Sequence, residues 1–240
     1  MRGMILAAGR GARMGEMTQQ TPKPLLRVLD HYLIEYAIAH LVRAGICDIV
    51  INVSYFAEQI KKALGDGKRY GATILYSEEK ERLETGGGIF NALSLLGTHP
   101  FVVVSGDVIC NFPLETLPSD PKGMAHLVMV DNPSFHPKGD FGIEAGYANM
   151  HAQPALTFAN VGVYRPELFA HCEPGSFRLN QLLFPSISHR LITAEYFKGM
   201  WWNIGTPDQL KNCETTLSSL RAREDSNLRP LVSETNTLSN

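Results

Sequence analysis

Met4-Ile5-Leu6-Ala7-Ala8-Gly9-Arg10-Gly11-Ala12-Arg13-Met14, followed by Thr21-Pro22-Lys23-Pro24-Leu25, is the stretch on which the reading of this chain turns. An apolar strand ends in a turn of small residues, and two cations, Arg13 and Lys23, come close behind. Gly9 and Gly11 admit backbone angles that a side chain forbids and let amide N–H groups approach an anion closely. Arg13 can fork onto phosphate oxygens and Lys23 can act as a point charge, so the segment predicts a triphosphate site. Leu6, Ala7 and Ala8, which deliver the turn, belong to the same candidate site. Other phosphate motifs fail on spacing: Gly15 comes one residue late for G-x-G-x-x-G, and the Gly-Lys-Ser/Thr of a P-loop is missing. Pro22 and Pro24 fix the backbone on both sides of Lys23, a restriction that an ordinary solvated lysine does not explain.

Working outward, Arg2 to Ala7 reads as the first strand, and the loop from Ala8 to about Arg27 is long enough to be functional. Leu33, Ile34, Ala37, Ile38, Leu41 and Val42 recur at helical spacing after Asp30 and before Gly45. Asp48 to Val53 is a continuous β-branched run suited to a central parallel strand, and Tyr55 to Leu64 returns as helix. Strand and helix alternating at this pace predict a right-handed, doubly wound α/β sheet. Ala72 to Tyr76 is the third strand, joined by Glu84-Thr85-Gly86-Gly87-Gly88 to an amphipathic segment, Ile89 to Leu96. Pro100 to Val104 then delivers Ser105-Gly106-Asp107 to its carboxyl end, where open α/β sheets bind ligands; an aspartate there suits a metal, though turn and capping aspartates are common.

Beyond Asp107 the texture changes to short strands and loops. Met124 to Asp131, Phe141 to Glu144, Ala155 to Phe158, Val161 to Tyr164 and Leu191 to Phe197 are strand candidates, with a helix over Gln181 to Ser188 interrupted at Pro185. Thr206-Pro207-Asp208-Gln209 starts a last helix running to about Leu220, and the polar residues 221–240 read as a disordered tail. The expected organisation is one domain over 1–220, with a nucleotide-binding part over about 1–110 and a sugar-binding part over about 111–205.

Leu-Ala-Ala-Gly-x-Gly-x-Arg-Met followed by Pro-Lys-Pro-Leu resembles the signature of the sugar-1-phosphate nucleotidyltransferases, and the similarity runs from about Met1 to Leu220. That resemblance implies a Rossmann-like three-layer sandwich around a mostly parallel sheet, the nucleotide-diphospho-sugar transferase fold. It implies Arg13, Lys23 and Asp107 as catalytic residues, with Asp107 holding Mg²⁺. Thr85, Gly86 and Gly87, with neighbouring Glu84, fall on the loop that borders the nucleobase. Asp140, Glu144 and Asn160 become candidates for the acceptor sugar, each with a plain alternative as a turn residue or solvated charge. Trp201-Trp202-Asn203-Ile204-Gly205-Thr206 resembles the family's closing metal motif, with Asn203 where an aspartate is usual; an amide oxygen can coordinate Mg²⁺ but adds no charge.

Within the family, Glu84 to Ile89, Val130 to Pro133 and Lys138 to Phe141 are most similar to the N-acetylmuramate 1-phosphate uridylyltransferases of cell-wall recycling. The implied reaction joins UTP and a sugar 1-phosphate to give UDP-sugar and pyrophosphate, with Lys138 or Arg178 as candidate cations for a lactyl carboxylate. The nucleophile is already an anion, since a phosphate monoester has its second pKa at about 6, so no general base is needed. Glucose, mannose or heptose 1-phosphate remain alternative acceptors, and dTTP, CTP or GTP alternative donors. A nucleotide-sugar-binding regulatory protein without catalysis is the rival from another class, favoured only by Asn203.

Composition narrows the field. The formal net charge is −2, so nucleic acid is not an expected partner. No apolar run approaches the ~20 residues of a membrane span and the N-terminus lacks a signal-peptide layout, which predicts a cytoplasmic protein. The four cysteines contain no C-x-x-C pair, and the eight histidines are scattered. No hexapeptide repeat is present, which favours a monomer without an appended β-helix.

Overall fold

A computed structural model describes residues 1–233, with side chains to residue 222. The alternation of apolar residues along the strands is what layers the molecule. In chain order the elements are β1 (Gly3–Leu6), β2 (Arg27–Val28), β3 (His31–Tyr32), α1 (Leu33–Arg43), β4 (Asp48–Val53), α2 (Ala57–Leu64), β5 (Thr73–Glu78), α3 (Glu84–Leu96), β6 (Phe101–Ser105), β7 (Val108–Cys110) and β8 (Ala125–Val130). They continue with β9 (Gly142–Glu144), β10 (Tyr147–Asn149), β11 (Thr157–Tyr164), α4 (Asn180–Ser188), β12 (Ile192–Tyr196), β13 (Trp201–Asn203) and α5 (Pro207–Ser233). Short 3₁₀ segments occupy Ala12–Thr18 and Lys23–Leu25.

One nine-stranded sheet has the order β5-β4-β1-β6-β11-β8-β12-β10-β9. The β5-β4-β1-β6 pairings and the β8-β12 pairing are parallel, while β11 lies antiparallel between β6 and β8. Ile5, Ile49, Ile51, Val102 and Val104 face the core under α1 and α2. Met4, Val50, Phe101 and Val103 face the opposite core, under α3 and α4. Period-two alternation thus feeds both faces, and the three-layer α/β sandwich follows. A third core unites Met14, Leu26, Val28, Leu33, Ile109, Ile204, Leu210 and Cys213. It clamps the 3₁₀ segment after the glycine turn between α1, β7 and α5, each fully buried aliphatic side chain adding about 1.5–3 kcal/mol.

Several expected boundaries move. The triple glycine is not a strand-to-helix loop: α3 begins at Glu84, so Gly86 to Gly88 form its first turns. Ala155–Phe158 and Val161–Tyr164 are one strand, β11, with a register irregularity between Phe158 and Gly162. Pro185 does not interrupt α4, whose Leu183 and Ile187 are both 3 % exposed; their burial outweighs the hydrogen bond that proline removes. The C-terminal helix passes its expected end at about Leu220 and runs to Ser233; residues 234–240 of the expected tail lie outside the described residues. No helix among the described residues is long and apolar enough to cross a membrane.

His40 of α1 is buried, and its Nε2 donates to the Phe112 carbonyl at 2.5 Å. Burial pushes its pKa below the ordinary 6.5. The unfolded chain therefore takes up this proton first as pH falls. His40's contribution to stability is complete above pH 6.5 and is lost progressively below it. Thermal melts should fall more steeply between about pH 6.5 and pH 5 for the wild type than for His40→Gln, which keeps a donor and cannot titrate.

Candidate active site

Sheet topology puts the cleft where strand order reverses. From β1 the chain steps outward through β4 and β5, and β6 then returns to the other side of β1. Leu6 pairs with Ser105, and Gly106 N donates to the Leu6 carbonyl at 2.9 Å, so both strands end side by side. Ligands of open α/β sheets lie at such switch points. A cavity of about 410 Å³ opens there.

The glycine turn forms one wall: Leu6, Ala7, Ala8, Gly9, Gly11 and Arg13 all line the cavity, together with Arg10. Gly11 sits at φ 68, in the left-handed region. Among the described residues, the amides from Ala8 to Arg13 have no hydrogen-bond partner within the protein; Met14 N, bonded to Gly11 O at 2.9 Å, is where the next turn closes. Unpaired amides facing a cavity, with Arg10 and Arg13 beside them, make a site for a multiply charged anion.

Lys23 and Asp107 also line the cavity, and they are ion-paired through Asp107 Oδ2. Lys23 is 8 % exposed, held by the 3₁₀ turn between its prolines. Ser105 Oγ donates to Asp107 Oδ1 at 2.6 Å, so the carboxylate is oriented from both sides. The role of Ser105 escaped the sequence reading, although its place two residues before Asp107 at a strand end was a usable signal.

Glu84 and Thr85 line the same cavity, Glu84 at φ 57 and paired with Arg82 at 3.0 Å. Gly86 and Gly87 do not. A Cβ on Gly86 would lie 2.9 Å from the Phe177 carbonyl, and one on Gly87 would collide with the carbonyl of Gly175. Gly87 N donates to Phe177 O at 3.1 Å. Their small size admits the 175–177 segment against α3.

A second cavity, about 230 Å³, adjoins the first at Asn160, which lines both. Asn160 sits at φ 57 within the β11 irregularity; asparagine tolerates that conformation better than most residues. Asp140 and Asn203 line the second cavity with Trp201 and His136. Asp140 is largely committed to structure, accepting from Phe158 N at 2.8 Å and facing His136 at 3.2 Å. Glu144 is elsewhere, bonded to Asn149 Nδ2 at 2.7 Å beside a separate depression under β9 and β10, so it is removed from the set that shares Asn160. Lys138 and Arg178 are exposed and line neither cavity.

Asn203 pairs with Val108 across the small β7-β13 sheet, and Ile204 N donates to the Asp107 carbonyl at 2.9 Å, which ties the closing motif to the Asp107 strand end. Among the described residues no three His, Cys, Asp or Glu side chains converge. Asp107 lines the first cavity and Asn203 the adjoining one; a carboxylate and a carboxamide are hard oxygen donors of the kind that Mg²⁺ takes alongside substrate phosphates.

Fold and cleft together define an α/β protein whose cavity at the strand ends is lined by unpaired amides and cations. The sequence model of the nucleotidyl transferase family matches residues 2–150. The chain is 42 % identical over 224 residues to the N-acetylmuramate alpha-1-phosphate uridylyltransferase of Neisseria meningitidis serogroup B, covering 89 % of this chain and 97 % of that one. It is 30 % identical to the protein of the same name from Caulobacter vibrioides, covering 90 % of this chain and 96 % of that one. A putative glucose-1-phosphate thymidylyltransferase from Bacillus anthracis shares the fold, with a TM-score of 0.80 at 20 % identity over 90 % of this chain and 94 % of that one. This chain belongs to the nucleotidyl transferase family.

Gly205 supplies a test of the cleft's cationic wall. A Cβ there would lie 2.8 Å from Arg13 Nη2 and 3.1 Å from its Cζ, so the guanidinium rests on this glycine. Gln209 Oε1 accepts from Gly205 N at 2.7 Å and holds the turn. Gly205→Ala should leave stability within about 0.5 kcal/mol, because a flexible side-chain end can yield. It should raise the KM for a triphosphate by about tenfold as Arg13 is displaced, read from initial rates against nucleotide concentration.

Proposed function

We propose that this chain transfers a uridylyl group from UTP to N-acetylmuramate 1-phosphate, giving the UDP-sugar and pyrophosphate. The observation that carries the reading is the convergence of the unpaired amides after β1 with Arg13, Lys23 and Asp107 in one cavity. The second cavity, which meets the first at Asn160, is the place for the acceptor sugar. The relatives' names supply the nucleotide and the sugar.

A sugar-phosphate oxygen forms a bond to the α-phosphorus of UTP while the bond from that phosphorus to the bridging oxygen breaks, and pyrophosphate leaves with the electron pair. The nucleophile needs no deprotonation, so the protein's task is alignment and charge neutralisation. Amides from Ala8 to Arg13 take the triphosphate oxygens. Arg13 and Lys23 balance the charge gathering on the leaving pyrophosphate. Asp107 and Asn203 would hold Mg²⁺, which supplies Lewis-acid neutralisation at the phosphates; members of this family generally use a divalent metal. Ser105 keeps the Asp107 carboxylate oriented. Asn160 binds the sugar where the two cavities join, with Asp140 shaping the wall behind it. Work in cell-wall recycling in the cytoplasm, by a monomer, fits this activity.

Lys23→Ala and Asp107→Ala should each lower turnover by about 100-fold or more with unchanged circular dichroism. Pyrophosphate release across a panel of triphosphates and sugar 1-phosphates should be highest for UTP with N-acetylmuramate 1-phosphate. Near-wild-type rates in either variant would remove the site assignment, and a preference for mannose or glucose 1-phosphate would remove the acceptor.

A further inference from the structure

Helix α4 ends in a backbone arrangement that usually belongs to glycine. Leu191 N donates to Ser186 O and Arg190 N to Ile187 O, each at 2.9 Å, the paired bonds of a Schellman motif. Its left-handed residue is Arg190, at φ 55. A Cβ is disfavoured in that conformation, so the reason for an arginine has to lie in its side chain. Capping the helix end does not supply the reason, because His189 Nδ1 already donates to Pro185 O at 2.8 Å. The Arg190 guanidinium lies instead over Tyr147, its Cζ 4.8 Å from the ring centre, and among the described residues it makes no hydrogen bond or ion pair.

Arg190 and Tyr147 line a cavity of about 350 Å³ at the β9 edge of the sheet, beside the end of α4. That volume falls within the ~300–1,000 Å³ of small-molecule sites. Its lining offers two kinds of polar group. The guanidinium, the Tyr147 hydroxyl and the His151 ring have no hydrogen-bond partner among the described residues, and all can donate. Glu144 is the acceptor, and it does not pair with the arginine in the same cavity. Asn149 braces this lining: its Nδ2 donates to Glu144 Oε2 at 2.7 Å, and its Oδ1 accepts from His151 N at 2.8 Å. Both ends of that amide are in use, so its orientation is set, and Glu144 Oε1 is left to accept from a ligand.

We infer that this cavity is a second binding site, for a monosaccharide that carries an oxyanion. The Arg190 fork takes two oxygens of a phosphate or carboxylate, and Glu144 accepts from sugar hydroxyls. The Tyr147 ring beneath the guanidinium holds the fork in place before the ligand arrives. No residue of this cavity lines the triphosphate or acceptor cavities, so the inference stands apart from the function proposed above.

The test is equilibrium binding of glucose 6-phosphate, glucuronate and inorganic phosphate to the full chain and to three variants, with thermal melts of each protein alone. The two sugars carry their oxyanion at the same carbon, so the better binder tells phosphate from carboxylate. Arg190→Gly relieves the left-handed position and should melt at or above wild type, while the better sugar binds at least about tenfold more weakly. Glu144→Gln should weaken that sugar at least about threefold and leave inorganic phosphate unchanged, a split that a folding defect would not produce. If Arg190→Gly does not fold, Arg190→Lys decides: it keeps the charge and loses the fork, and should weaken the sugar at least about threefold. Binding of both sugars to Arg190→Gly as tight as to wild type overturns the inference. So does a wild-type chain that binds neither sugar, or that binds inorganic phosphate as tightly as the better of them.

Discussion

Parallel pairing of β1 with β6 is the constraint from which the rest of the site follows. Leu6 sits opposite Ser105, and the bond from Gly106 N to Leu6 O carries the pairing one residue beyond the strand. A slip of one residue would turn Ile5 and Met4 to the wrong cores and carry Asp107 away from the glycine turn. Because Met4 and Ile5 are both fully buried, on opposite faces, that register is strongly specified. The packing that stabilises the sheet and the geometry that brings Asp107 to Lys23 are therefore the same requirement.

A second requirement comes from the far end of the chain. Leu210 and Cys213 of α5 pack with Met14, Leu26 and Ile204. The 3₁₀ segment that follows the glycine turn is short, and this small core packs it against the body of the protein. The Gly205 turn that starts α5 also backs Arg13. Residues nearly two hundred positions apart thus share the stabilisation of one cationic wall, which is why the closing motif matters beyond its asparagine.

Charge in the cleft is arranged with some economy of structure. Lys23 and Asp107 neutralise each other, Arg82 and Glu84 do the same, and Arg10 and Arg13 make no ion pair among the described residues. Among the described residues Glu79 accepts from Asn52 and makes no ion pair. The cleft therefore presents positive charge beside the unpaired amides of the glycine turn.

The order of the longer strands and helices and the position of the glycine turn were legible in the sequence, because hydrophobic period and local backbone chemistry are properties of neighbouring residues; the short strands β2, β3, β7, β10 and β13 were not. The same local signals did not show that the small size of Gly86 and Gly87 admits the 175–177 segment, a partner about ninety residues away along the chain. They also grouped Glu144 with Asn160, although only the bulge in β11 decides which of them reaches the shared cavity wall. Asn52 and Glu79 carried no motif at all, being a polar residue in an apolar strand and a glutamate in a charged run. What the sequence by itself determined is which segments could grip an anion and which strands would be buried. Tertiary structure decided which side chains meet, since hydrogen-bond direction, register and close backbone approach are relations between distant residues that no local pattern records.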